Sequence, residues 1–193
     1  MNDSGTRTRR FVTTCCGALL YFALAVGPAV SGERRSVGAQ SGVANAAAAA
    51  AIWSADARLV YVENDEDLDA AGTAPRWGYL YYSPARNQAR AYSVRDERIL
   101  AAENLEMKFE SPPLEAGWID SDAAVRAADA GGGSAFCREH QGRLSTMLLM
   151  RGAFQDRDPD AATWTVLYAS PHAPSLFVMV DAADGRVRRI WRG

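Results

Sequence analysis

The hydrophobic pattern of this chain is mainly that of short strands. Runs of β-branched and aromatic residues are bounded by Pro, Gly, Asn and Asp, the signature of antiparallel strands joined by turns. In the first part these runs cover Asp56 to Val62, Arg76 to Ser83, Ala89 to Arg95 and Ile99 to about Phe109. In the second part they cover Leu144 to Met150, Thr163 to Ala169, Ser175 to Ala182 and Arg186 to Trp191. The last two meet through Ala183-Asp184-Gly185, and Asp-Gly is strong hairpin chemistry. Helical composition appears in two places. Ala46 to Ala51, followed by Ile52 and Trp53, has high helix propensity and a tryptophan to anchor it; this helix either stops there or runs on to Val62. The second is predicted to begin with Asp120 or Ser121 as N-cap, to cover Ser121 to Ala130, and to end at Gly131, Gly132 and Gly133. Trp118 or Ile119 is positioned to staple onto Val125.

One strand pattern occurs twice. Trp77-Gly78-Tyr79-Leu80-Tyr81-Tyr82-Ser83-Pro84 returns as Trp164-Thr165-Val166-Leu167-Tyr168-Ala169-Ser170-Pro171, with Trp, Leu, Tyr, Ser and Pro at identical spacing. Each copy follows an acidic loop and precedes a turn and a second apolar run. A repeat in shared context predicts two copies of one supersecondary unit. Ser111-Pro112-Pro113 breaks the pattern between them. The predicted fold is α+β, as two tandem units, each one helix packed on an antiparallel β-meander, at 46–110 and 118–193. On a strand, Trp77, Tyr79, Tyr81 and Ser83 share one face, and Leu80 and Tyr82 the other. Both faces are largely apolar, which predicts a central strand or one covered on both sides.

Composition changes this picture at the N-terminus. Arg7, Arg9 and Arg10 precede the apolar stretch Phe11 to Val26, and Ala29-Val30-Ser31 offers small residues for cleavage. Residues 1–31 therefore read as a signal peptide, with an uncleaved membrane anchor as the alternative. Residues 32–45 are small and polar and read as a disordered tether. The expected location is periplasmic or secreted. A net charge of -2 over 193 residues points to neither nucleic acid nor an anionic membrane as partner, and a membrane enters only if the N-terminal segment is retained. After cleavage Cys137 is the sole thiol, so no intramolecular disulfide forms. It is expected to be either buried and inert or a dimer contact.

The second unit resembles a PepSY-type domain. The resemblance rests on the helix Ser121 to Ala130, on Trp164-Thr165-Val166-Leu167-Tyr168, and on the run Leu176-Phe177-Val178-Met179-Val180-Asp181-Ala182-Ala183-Asp184-Gly185-Arg186-Val187. The first unit is similar to a degenerate copy: Trp77 to Pro84 fits, but Arg95-Asp96-Glu97-Arg98 lacks the turn glycine. The resemblance implies a small α+β domain of bacterial envelope or secreted proteins, no cofactor, and an inhibitory or chaperoning role toward peptidases.

Candidate chemistry is sparse. Asp65, Asp67 and Asp69, and then Asp156, Asp158 and Asp160, alternate as calcium-binding carboxylates do. An EF-hand loop, however, needs Gly and Glu where Ala70 and Arg76, and Ala161 and Leu167, stand. These are read as solvated loops. Cys137, His140 and His172 are too few for a structural zinc site, which wants four ligands. Gly132-Gly133-Ser134-Ala135-Phe136 lacks the closing glycine of a nucleophile elbow, so Ser134 reads as loop. Ser170-Pro171-His172 reads as a turn. A dyad of Cys137 with His140 or His172 remains the enzymatic alternative, as a hydrolase. Trp77, Tyr79, Tyr81, Tyr82 and Tyr92 are expected in the core rather than on an exposed platform. The expectation is a non-enzymatic binding module for an unknown envelope protein or peptide, without metal or cofactor. The remaining alternative is a structural envelope component.

Overall fold

The computed structural model describes residues 35–105, 111–153, 158 and 160–193. The predicted signal peptide, 1–31, lies outside them. Along the chain come helix α1 (Val43–Trp53), strands β1 (Arg58–Asn64), β2 (Trp77–Ser83), β3 (Gln88–Arg95) and β4 (Arg98–Leu105). Then follow α2 (Ser121–Ala128), α3 (Ser134–His140), β5 (Arg143–Arg151), β6 (Ala162–Ala169), β7 (Leu176–Asp181) and β8 (Val187–Arg192). The class is α+β. The eight strands of the described residues join one antiparallel sheet in the order β4-β3-β2-β1-β5-β6-β7-β8. Two four-stranded meanders thus meet along their first strands, where Tyr61 faces Met150 and Glu63 faces Leu148. The break at Ser111-Pro112-Pro113 does not divide two cores, because Arg34–Gly193 clusters as one compact unit. Beyond that break the backbone is tied to the seam: Leu114 N–H donates to the Leu59 carbonyl at 2.7 Å, and Arg151 donates to the Pro113 carbonyl at 3.2 Å.

β2 and β6 each lie between two partners, as strands with two apolar faces require. Trp77, Tyr79, Tyr81 and Ser83 all point into the layer under the helices and are buried. Trp164, Val166 and Tyr168 do the same on β6. Ladder irregularities fall at matching places in the two meanders. One lies opposite the repeated Leu-Tyr, between Leu59 and Tyr61 on β1 and between Leu144 and Thr146 on β5. The other precedes the valine facing each tryptophan, between Ser93 and Val94 and between Met179 and Val180. Bulges of this kind bend a strand and increase its twist, letting a sheet curve around a helix.

Each repeated tryptophan performs the same task. The Trp77 indole donates to the Val37 carbonyl at 2.9 Å, and the Trp164 indole to the Ile119 carbonyl at 2.9 Å. Both acceptors lie in the extended segment just before a helix. Val37 also pairs with Ala74 through two backbone bonds, and Ile119 donates to Ala182. A buried indole N–H without a partner would carry its full desolvation penalty, so these carbonyls are what let the rings be fully buried. The two indoles meet edge to face at 6.2 Å, and Trp118 meets Trp164 the same way at 5.8 Å.

Three expectations are corrected. Residues 37–45 of the expected tether are built into the fold: Val37 bridges Ala74, Ala39 is buried in a short 3-10 turn (Ala39–Gly42), and α1 starts at Val43. Small residues there serve close packing, since Gly42 N–H donates to the Tyr79 hydroxyl, which itself donates to the Ala39 carbonyl. The glycine run does not end the helical region. It forms a kink with Gly132 at φ 126, after which α3 continues to His140. Ser134, expected in a loop, is therefore the first residue of a helix. Gly133 is required for space, because a Cβ there would lie 2.3 Å from the Tyr168 ring.

The repeated serine closes the turn after each second strand. Ser83 Oγ accepts from Arg86 N–H, and Ser170 Oγ accepts from His172 N–H. In the first meander Ser83 also donates to Asp56 at 2.6 Å. Asp56 accepts further from the Ser54 hydroxyl at 2.7 Å and from Ala85 N–H at 2.7 Å. With Ser83 the largest contributor, these donors hold its carboxyl down at about 2. A carboxyl depressed on folding adds stability above its unfolded value, about 3.9, and loses it as pH falls through its folded one. The stability difference between wild type and Asp56→Asn, followed by urea unfolding, is expected to be constant above pH 5 and to shrink between pH 4 and pH 2. A difference independent of pH over that window would contradict the assignment.

Candidate binding surfaces

Among the described residues, surfaces that could engage another molecule include a cleft beside α3, the two sheet edges, and the sheet face away from the helices. The cleft has a volume of about 560 Å³ and lies between the loop after β1 and the α3 helix. Asp67, Asp69, Ser134, Cys137, Arg138 and Tyr168 are among its walls. It exists because the chain kinks at Gly132 instead of leaving the helical layer, which brings Ser134 and Cys137 to face the acidic loop.

Of its polar groups, Asp69, Asp129 and Tyr168 are engaged within the protein. Tyr168 donates to Asp129 at 2.7 Å, and burial followed by that carboxylate pushes the phenol's titration far above its usual range. Cys137 is half-buried, and burial first, then the Asp129 charge, pushes its thiol up. A nucleophilic cysteine needs the opposite shift. Neither histidine lines this cleft. His140 packs on Phe136 at 5.2 Å and lies 3.5 Å from an Arg192 nitrogen. His172 pairs with Gln141 at 3.2 Å. Ser170 donates to the His140 carbonyl, so the Ser-Pro-His stretch is a turn. The structure brings Cys137 and Ser134 together and leaves both candidate bases elsewhere.

Four of the acidic-loop carboxylates, Asp65, Asp69, Asp158 and Asp160, are engaged within the protein. Asp69 closes its own turn, accepting from Ala71 N–H, Thr73 N–H and the Thr73 hydroxyl at 3.0, 2.9 and 2.6 Å. Asp65 reaches over Gly78 to accept from Ser93. Asp160 pairs with Arg151 at 3.4 Å and Asp158 with Arg188 at 3.9 Å, while Asp156 lies outside the described residues. Among the described residues, no three His, Cys, Asp or Glu side chains converge on a point fit for a metal.

The edges are β4 and β8. Among the described residues, four of the five large hydrophobic side chains left exposed lie there: Ile99 and Leu100 on β4, Val187 and Ile190 on β8, the fifth being Ile52 on α1. The edges differ in charge. β8 carries Arg188, Arg189 and Arg192, of which Arg188 is tied to Asp181 at 2.8 Å and Arg192 lies over the Phe136 ring. On β4, Ile99 to Ala102 is uncharged and contains no proline. Charge and proline are the usual guards against strand addition, so among the described residues the Ile99–Ala102 stretch of β4 is the less guarded edge.

On the face away from the helices, Val60, Leu80 and Ala89 form a second cluster edged by Tyr61, Tyr82, Ala91 and Leu105. Of the aromatic residues considered for a platform, Trp77, Tyr79, Tyr81 and Tyr92 are buried in the main core, and Tyr82 is half-buried on this other face. Sequence reasoning missed α3, whose signal was the basic Arg138 and His140 in a last turn before Gly142. Among the described residues, no helix is long and apolar enough to cross a membrane.

No family model and no curated protein matches this chain. Among solved structures it is similar to a protein of Clostridium difficile 630 described as a "putative lipoprotein", with a TM-score of 0.52 and 14% identity. The match covers 79% of this chain and 93% of that one. Identity at that level speaks for shared fold alone.

Site-resolved alkylation with iodoacetamide at pH 8 is expected to label Cys137 more slowly in the folded protein than in urea. The folded rate should still be rising at a pH where a free thiol has levelled off. Labelling faster than the unfolded chain would mark an activated thiolate instead.

Proposed function

We propose that this chain is an exported, non-enzymatic binding module of two PepSY-like units, capturing an extended segment of an envelope protein by strand addition at β4. The observation that carries the reading is the β4 edge, unpaired among the described residues, with Ile99 and Leu100 exposed and no charge between Arg98 and Glu103. An incoming strand would satisfy outward backbone groups and cover both side chains. The unit assignment is supported by the matched tryptophan bonds and the matched ladder irregularities. Export is supported by the basic and apolar pattern of residues 1–31, and by the lipoprotein description of the structural neighbour.

A peptidase is the partner class that the PepSY resemblance implies for this reading, as the target of inhibition or escort. The hydrolase alternative has less support: burial and Asp129 push the Cys137 thiol up, and the histidines sit outside its cleft. The test is inhibition of casein hydrolysis by an envelope peptidase fraction, with full chain and Leu100→Lys in parallel. Wild type should slow hydrolysis. The variant should need about ten-fold more protein, equivalent to about 1.4 kcal/mol of edge contact. Unaltered hydrolysis at saturating wild type, with no partner retained from the extract, would count against the proposal.

A further inference from the structure

The cleft beside α3 sets opposite charges on opposite walls. One wall is the loop after β1, with Asp67, Leu68 and Asp69. The other is α3 and the turn into β5, with Cys137, Arg138 and Arg143. Leu144 of β5 and Tyr168 of β6 close it from the sheet. The walls come from different halves of the chain and meet through the seam. Asn64, the last residue of β1, donates to the Ser145 carbonyl at 3.4 Å and accepts from Met147 N–H at 2.7 Å. It also donates to the Glu66 carbonyl at 3.0 Å, which holds the start of the acidic loop. Further along, Gly72 takes φ 81 where a Cβ would lie 2.5 Å from Val125 of α2. The loop is thus fixed at both ends, and a pre-formed wall lowers the ordering cost of binding.

The charges of the two walls have different duties. Asp69 closes its own turn, and Asp129 receives the Tyr168 hydroxyl. Asp67, exposed on the loop, is the carboxylate that wall presents, and the exposed Arg138 and Arg143 are the cations across from it. Leu68, Leu144 and the Cys137 side chain supply apolar surface between them. A ligand that matches this order has an ammonium group, a short apolar body and a carboxylate. A space of about 560 Å³ is roughly 8 Å across if its axes are equal, and two residues of extended chain span about 7 Å. Guanidinium groups hold carboxylates through paired charge-assisted hydrogen bonds, and an aspartate accepts such bonds from an ammonium.

We propose that the cleft binds a free dipeptide with apolar side chains, its amino group on Asp67 and its carboxylate on Arg138 and Arg143. Peptide-bond hydrolysis is the class of reaction that supplies such a ligand, since each cut creates one free amine and one free carboxylate. The site is separate from the β4 edge and does not depend on strand capture there.

The test uses the full chain and four forms of leucyl-leucine: free, N-acetylated, C-amidated and blocked at both ends. Affinity is read by titration calorimetry, and place by site-resolved alkylation of Cys137 with iodoacetamide. The free dipeptide should bind tightest. Each singly blocked form should bind about five-fold or more weaker, as loss of one charge-assisted contact in an open cleft implies. At ten times its dissociation constant, the free dipeptide should slow Cys137 labelling about ten-fold. Asp67→Asn should erase the preference for a free amine and keep that for a free carboxylate. Arg138→Gln combined with Arg143→Gln should do the reverse, a crossed pattern that loss of stability would not produce. Leu100→Lys, at the β4 edge, should bind the free dipeptide as wild type does, so failure of strand capture and failure of the cleft are told apart. Equal binding of all four forms, or no binding of the free form, would overturn the proposal. Binding of the free form with Cys137 labelled at its unliganded rate would place the dipeptide elsewhere and overturn it as well.

Discussion

The contact between Trp77 and Trp164 holds this structure to one shape. Two large rings meet where the first strands of the two meanders join, and neither could be buried without an acceptor for its N–H. Each finds one in the carbonyl of a residue just before a helix. The same pair of bonds therefore fixes ring burial, helix placement and the approach of β1 to β5. Edge-to-face geometry adds attraction beyond buried area, and Trp118 extends it to the segment leading into α2.

That seam has consequences at the far ends of the sheet. Joining first strand to first strand sends both meanders outward, so that their fourth strands become the edges. The halves then diverge in detail. The second has a kink and α3 after its helix, which build the cleft around Cys137, whereas the first passes from α1 to β1 through the Ser54 and Asp56 turn. The first keeps Gly78 where the second has Thr165, so Asp65 can cross β2. In the proposed reading, the shared geometry supplies the scaffold and these departures supply recognition.

The strands were legible because their pattern is local. β-Branched and aromatic runs bounded by Pro84, Asn87, Asp96 and Asp184-Gly185 placed β2, β3, β7 and β8 within a residue or two. The helix start was visible for the same reason, with Asp120 or Ser121 as N-cap, and the structure gives that place to Asp120. The joining of the meanders into one sheet was not legible, since the pairing of Tyr61 with Met150 depends on two strands distant in sequence. The glycine run misled because helix termination and a kink use the same residue, and only the contact of Gly133 with Tyr168 decides between them. Residues 37–45 resembled a tether because small residues are equally suited to solvent and to close packing under Tyr79. Of the candidate chemistry, Cys137 and Ser134 could be named from sequence. The cleft could not, because it sets the acidic loop against Arg138 and Arg143 from a distant part of the chain and has no motif.

A double-mutant cycle on the two indoles tests the central claim most directly: urea unfolding of wild type, Trp77→Phe, Trp164→Phe and the double variant. The account predicts one cooperative transition throughout and a coupling energy of about 0.5–1.5 kcal/mol between the positions. Strictly additive losses, or two separate transitions for the two meanders, would contradict it.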